Sequence, residues 1–239
     1  MAPVDENRPE VARIFALDRR LARTVAEART QGAFPLVLAG NCVSCLGTVA
    51  GAGPGGLGVV WFDAHADFDT PEDNLSGFTD VMGLAILTGS GWRALRETIP
   101  GFRPIAERHV VLAAVRDLEP YQQARLRSSD VRTVPGAIDV PALDAELDAL
   151  RGGVERVYLH VDLDALDSEE GRANPYAAGG GPSLEGLLGA IGLVFDRFTV
   201  AAAALTAYDP RLDGDGRVAA AARRIAGLIA QRAVRQSPS

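Results

Sequence analysis

The sequence predicts an α/β fold in three layers (α-β-α), with helices on both faces of a mainly parallel β-sheet. Three observations carry that expectation. Short runs of continuous apolar residues recur along the chain, as in strands buried on both faces. Segments with apolar residues at helical spacing separate them, and this alternation is the signature of βα units. The 239 residues are 47% hydrophobic and 23% charged, which are ordinary globular values. Such a chain can bury a sizeable core, and residues 1–239 read as one domain.

The elements run in order along the chain. Glu10 to Arg29 carries Val11, Ile14, Phe15, Leu21 and Val25 at helical spacing and reads as the first helix. Pro35–Ala39 reads as a short strand, followed by a helix over Cys42–Gly51. The Gly-rich connector Gly51–Gly58 precedes the second strand, Leu57–Phe62. A phosphate cradle instead follows a strand and opens a helix, so these glycines mark a turn. Next come a helix near Asp80–Leu87, a strand over His109–Val115, and helices near Tyr121–Leu126 and Ala142–Arg151. Strands over Arg156–Val161 and Thr199–Thr206 flank a helix over Ser183–Val194, and a helix over Gly216–Ala233 ends the order. Gly179 to Gly181 reads as a pocket rim, and Leu212–Gly216 as an exposed acidic turn. The tail after Gln231 is expected to fray.

All 24 basic residues are Arg, so no catalytic Schiff-base or P-loop lysine exists in this sequence. The net charge of −7 argues against a nucleic-acid or anionic-membrane partner. The two cysteines, Cys42 and Cys45, are too close on one helix for a disulfide, which points to a reducing, cytoplasmic compartment. The N-terminus lacks an apolar signal core, and no apolar run is long enough to span a membrane.

The chemistry is concentrated at two strand ends. Leu57–Phe62 runs directly into Asp63, His65, Asp67 and Asp69, and Arg156–Val161 into Asp162 and Asp164. Alternate residues of an extended chain point the same way, so Asp63, His65 and Asp67 face one site if the extension persists. In a parallel sheet the carboxyl ends of neighbouring strands meet at one edge, where such folds bind ligands. Carboxylates brought this close repel unless a cation lies between them. One imidazole among oxygens suits Mn²⁺ or Fe²⁺ better than a structural zinc site. Shared carboxylates favour two metals, which activate water for hydrolysis. His160 points with Asp162 by alternation and reads as a support behind the ligands. His109, Trp61, Trp92 and Cys45 read as structural.

Asp63-Ala-His-Ala-Asp67 followed by His160-Val-Asp-Leu-Asp-Ala-Leu-Asp167 resembles the ureohydrolase family of arginases and agmatinases. Leu38–Cys42, Ser76-Gly77, Val115–Pro120 and Tyr208–Pro210 extend the resemblance from about Pro35 to about Pro210. It implies an arginase/deacetylase-like fold and hydrolysis of a guanidino, amidino or related C–N bond in a small-molecule substrate. It implies two divalent ions, Mn²⁺ first, with a bridging hydroxide as nucleophile. Asp63 and Asp162 would bridge the ions, His65 and Asp164 would complete one site, and Asp67 and Cys42 the other. Asp69 and Ser76 match positions near the substrate, Asp69 with a catalytic role as well, and Glu119 one that meets a substrate amine. Family members commonly form oligomers, so a homo-oligomer is a further expectation.

Four departures qualify that reading. Cys42 stands where the family usually has a ligating His, and a thiolate there admits Co²⁺, Fe²⁺ or Zn²⁺. Asp80 stands where a His often assists proton transfer; a carboxylate of raised pKa beside the site can do the same. Ala207 stands where a Glu usually holds the guanidinium. Finally, the sequence reads as shortened at its N-terminus: family chains carry a further strand–helix segment before the first helix, so the sheet is expected to be smaller or its edge covered by another subunit. Two other readings compete: a non-catalytic binding or structural relative, and a deacetylase-like amide hydrolase with a single zinc.

Overall fold

The structure, a computed structural model, describes residues 9–74 and 76–236. The N-terminal segment expected to lack a signal core lies mostly outside them. Six strands form one all-parallel sheet: β1 (Leu36–Leu38), β2 (Leu57–Phe62), β3 (Val110–Val115), β4 (Arg132–Pro135), β5 (Arg156–Asp162) and β6 (Thr199–Thr206), in the order β1-β6-β5-β2-β3-β4. Every residue of β2 and β3 is buried, as continuous apolar strands require. Three helices cover one face, α6 (Val140–Arg151), α7 (Leu184–Arg197) and α8 (Arg217–Gln236), packing Leu143, Ile191 and Ile225 against Val60, Leu159 and Ala203. The other face carries α1 (Glu10–Thr30), α2 (Cys45–Ala52), α3 (Gly83–Thr88) and α5 (Pro120–Arg127), whose Phe15, Leu46, Ile86 and Leu126 meet Trp61, Leu112 and Tyr158.

Three expectations need correction. Strand β4 was not foreseen, because only Val134 of its four residues is fully buried and no apolar run announces it. The short helix α4 (Arg93–Arg96) was likewise missed. The chain stays helical to Gln236, whose side chain donates to the carbonyls of Phe195 and Phe198 and accepts from the Val200 amide, so residues 232–236 of the tail are tied down. In the acidic turn Asp213 points inward, accepting from Val218 N and Ala219 N at the start of α8. Gly179–Gly181 is anchored by Arg116 and by Asp167. Strand β1 is an edge, with Leu38 74% exposed.

Helices α1 and α2 pack unusually closely because of Gly47 and Gly51. A Cβ at Gly47 would lie 2.7 Å from the Asp18 carbonyl, and one at Gly51 2.5 Å from that of Ala22. This approach buries Asp18, whose carboxylate accepts from Gly47 N at 3.0 Å. Burial raises its pKa to about 8, against the lowering effects of that amide and Arg19. A carboxylate raised on folding adds stability that is fully present below about pH 4 and is lost as pH climbs towards 8. Wild-type stability is therefore expected to fall across this window, with a slope from Asp18 of up to about 1.4 kcal/mol per pH unit. Asp18→Asn should flatten that slope; denaturant titrations of both proteins from pH 4 to 8 check this, and parallel profiles would refute it.

Candidate metal centre

Strands β2 and β5 are parallel neighbours with Trp61 opposite His160 and Phe62 opposite Val161, so the two Asp-rich ends leave the sheet side by side. The extension expected after Phe62 does not persist. Asp63 Oδ1 accepts from His65 N at 2.8 Å, folding the chain into a turn, and Asp67 is left-handed at φ 47°. This turned backbone, rather than strand alternation, brings Asp67 to the cavity. A non-glycine residue in that conformation costs of order 1 kcal/mol and persists where surrounding structure enforces it.

The cavity at the sheet's carboxyl edge holds about 230 Å³ and is lined by Cys42, His65, Asp67, Asp80, Asp162 and Asp164. Its mouth is walled by Phe78, Tyr176 and Tyr208. Asp63 is buried, 1% exposed, and does not itself line the cavity; it touches the lining through His65, and Trp61 Nε1 donates to its Oδ2 at 2.9 Å. Trp61 thus orients a carboxylate as well as filling the core. His65 Nδ1 is 3.4 Å from both Asp63 Oδ1 and Asp164 Oδ2. Cys42 Sγ donates to Asp162 Oδ2 at 2.9 Å. Asp80 accepts from Val43 N at 3.2 Å.

Two donor sets emerge among the described residues: Asp63, His65 and Asp164, and Cys42, Asp63 and His160, each with donor atoms within 4.8 Å of one another. They share Asp63. The electrostatics suit a divalent cation. Burial and then neighbouring carboxylates push Asp63, Asp67 and Asp162 above the ordinary carboxylate range. Burial disfavours a charged His65, but Asp164 and Asp63 outweigh it and raise its pKa to about 12. A divalent cation among these carboxylates would offset the repulsion that raises them. Asp67 Oδ2 is buried with no hydrogen-bond partner, an arrangement a ligating oxygen explains. Burial raises Asp80 to about 6 despite amide hydrogen bonds that lower it.

Asp69, Ser76 and Glu119 do not line this cavity. Asp69 is 3% exposed and accepts from Tyr121 Oη at 2.9 Å and Gln122 Nε2 at 3.0 Å. Ser76 is exposed and bonds Asn74. Glu119 is the N-cap of α5, in a capping box with Gln122, so its charge serves a helix start. Conversely, Asn174 was missed: its Nδ2 donates to Asp164 Oδ2 at 2.8 Å and also to the Ala207 carbonyl. Arg116 was missed too, although its position just past β3 and beside the carboxylates was a usable signal. It donates to six carbonyls: Ala114, Asp164, Ala165, Leu166, Ala178 and Gly179.

Known proteins of similar sequence and fold include arginases. The chain is 28% identical over 225 residues to the arginase of Staphylococcus aureus strain COL, covering 90% of this chain and 74% of that protein. It is 34% identical over 161 residues to the arginase of Bacillus caldovelox, covering 64% and 54%. The crystal structure of arginase from Bacillus subtilis superposes with a TM-score of 0.85 at 26% identity, covering 95% of this chain and 82% of that one. No described helix is long and apolar enough to cross a membrane. The model of the arginase family matches residues 5–230, and the chain belongs to that family.

Proposed function

We propose that the cavity is the active site of a dinuclear-metal hydrolase that cleaves a C–N bond of a guanidino, amidino or related small molecule. Membership of the arginase family makes the chain a hydrolase of C–N bonds. The observation that carries the finer reading is the pair of donor sets sharing Asp63. A shared carboxylate supports two ions over the single zinc of a deacetylase-like site. Asp63, Asp67, His65, Asp162, Asp164 and Cys42 would hold them, and the ions would supply a nucleophile from water at neutral pH. Mn²⁺ suits the oxygen-rich His65 side, while the Cys42 side favours a softer ion.

The protein's own residues do the rest. Asn174 and Arg116 fix the Asp164 loop through its side chain and its carbonyls. Phe78 and Tyr176, with ring centroids 5.8 Å apart, give the cavity an apolar wall. Asp80 holds a proton on the cavity wall, taking it from the attacking water and delivering it to the departing amine. Ala207 leaves the guanidinium position without a family carboxylate, which supports a substrate other than arginine. Cys42 would ligate as a thiolate, giving up its proton to solvent on metal binding, which requires that it stay out of a disulfide; both cysteines are free, in keeping with a reducing cytoplasm.

The test is urea or ammonia release by metal-reconstituted protein across guanidines, amidines and formimino compounds. One class should turn over, with kcat/KM falling as acid protonates Asp80, at an inflection at or below pH 6. Asp80→Asn should lose about 10²–10⁴-fold in rate together with that inflection. No release from any class would refute the proposal.

A further inference from the structure

Strand β5 places Tyr158, His160 and Asp162 on one side, and His160 is the unusual member: an imidazole with no exposed surface in the middle of the sheet. It is stacked on Trp61, ring centroids 3.5 Å apart and 11° from parallel. Its Nδ1 is 2.8 Å from Tyr158 Oη, and its Nε2 is 3.1 Å from Thr206 Oγ1. Thr206 Oγ1 in turn lies 3.1 Å from Cys42 Sγ and 3.4 Å from Asp162 Oδ2. A polar chain therefore runs from Tyr158 through the core to the metal carboxylates.

We infer that His160 is itself a metal ligand, completing with Cys42, Asp63 and Asp162 a buried inner site that prefers zinc or cobalt over manganese. The inference rests on the proposed metal-dependent function. Cys42, Asp63 and His160 each offer a donor within 4.8 Å of the others, and Asp162 Oδ2 lies 2.9 Å from the Cys42 sulfur. One sulfur, one nitrogen and two carboxylate oxygens make a four-donor set of the kind zinc accepts. The imidazole supplies the nitrogen that the family usually draws from the position Cys42 occupies. Thiolate and imidazole together select against a hard ion. Ligating histidines donate their second ring N–H to a fixed acceptor, and Tyr158 Oη is placed for that. In the metal-free chain two tautomers satisfy these contacts. Only the Nδ1–H form, donating to Tyr158, leaves the Nε2 lone pair free on the side of Thr206, next to Cys42.

The chain has three histidines, which makes the test direct. Protein labelled with ¹⁵N-histidine is titrated with zinc and the imidazole nitrogens are followed by NMR, with His109→Gln assigning the third ring, at the opposite end of the sheet. The expected result is that His65 and His160 both take on ligand nitrogen shifts, with His160 fixed as the Nδ1–H form, while His109 does not respond. A zinc-loaded protein in which only His65 responds overturns the inference and leaves the metal-dependent reading intact. Retention of no zinc at all overturns both. As a second measurement, chelator competition should show His160→Gln losing more than the roughly 10–100-fold in zinc affinity typical of a support behind a ligand. Unchanged affinity in that variant contradicts ligation.

Discussion

Asp63→Asn is expected to abolish turnover and to strip bound metal, because Asp63 is the residue common to both donor sets. The fold should survive. Without an ion, Asp63 is a buried carboxylate beside Asp164, and burial followed by that neighbour pushes its pKa up. Asn keeps the size of Asp63 and an acceptor for the His65 amide, so the metal-free variant should melt close to metal-free wild type. The loaded proteins should differ. An ion at 100 times its Kd stabilises by about 2.7 kcal/mol, or roughly 5–10 °C in Tm for a chain of this size, and the variant should lose that shift. Metal analysis, melting with and without ions, and product release read the three effects together. Turnover retained by Asp63→Asn would sink the assignment.

Arg116→Ala is expected to be the most damaging change outside the ligands. The guanidinium gathers six carbonyls from the end of β3, the Asp164–Leu166 turn and the Ala178–Gly179 segment. Hydrogen bonds to a charged donor contribute about 1.5–3 kcal/mol each, but they share one side chain and are not additive. Arg116 is half-buried and leaves unpaired carbonyls rather than a charge, so a net loss of about 1–3 kcal/mol is expected, or roughly 2–12 °C in Tm. The Asp164 turn should loosen first, so the site containing His65 and Asp164 should weaken even in protein that remains folded. Denaturant unfolding and manganese affinity measure these separately. Arg116→Lys should recover only part, since an ammonium cannot reproduce the planar fork of donors. Wild-type stability in Arg116→Ala would contradict the account.

The strand-end carboxylates were legible because two constraints acted together. Continuous apolar runs marked β2 and β5 as central strands, and a parallel sheet then had to bring Asp63 and Asp162 to one edge. The loops beyond the strand ends were not legible. Asp67 reaches the cavity through a left-handed turn, which no alternation rule describes. Strand β4 has too little apolar character to announce itself. Asp69 and Glu119 sit in recognisable motif segments, yet Tyr121, Gln122 and the start of α5 engage them. Side-chain direction there depends on a helix some fifty residues later than Asp69 in the chain. Asn174 and Arg116 escaped for the same reason: their partners lie in distant loops that meet only in the folded chain. His160 was readable as a support behind Asp162, but its closeness to Cys42 required β6 and the β1–α2 turn to be in place.

The central claim, that two ions share Asp63 at the carboxyl edge of the sheet, is tested most directly by counting them. Wild-type protein would be reconstituted separately with Mn²⁺, Co²⁺ and Zn²⁺, desalted, and analysed by elemental mass spectrometry. About two ions per chain are expected with at least one of these metals, as a two-metal hydrolytic centre requires. One ion per chain, or none, under all three conditions would contradict the shared site.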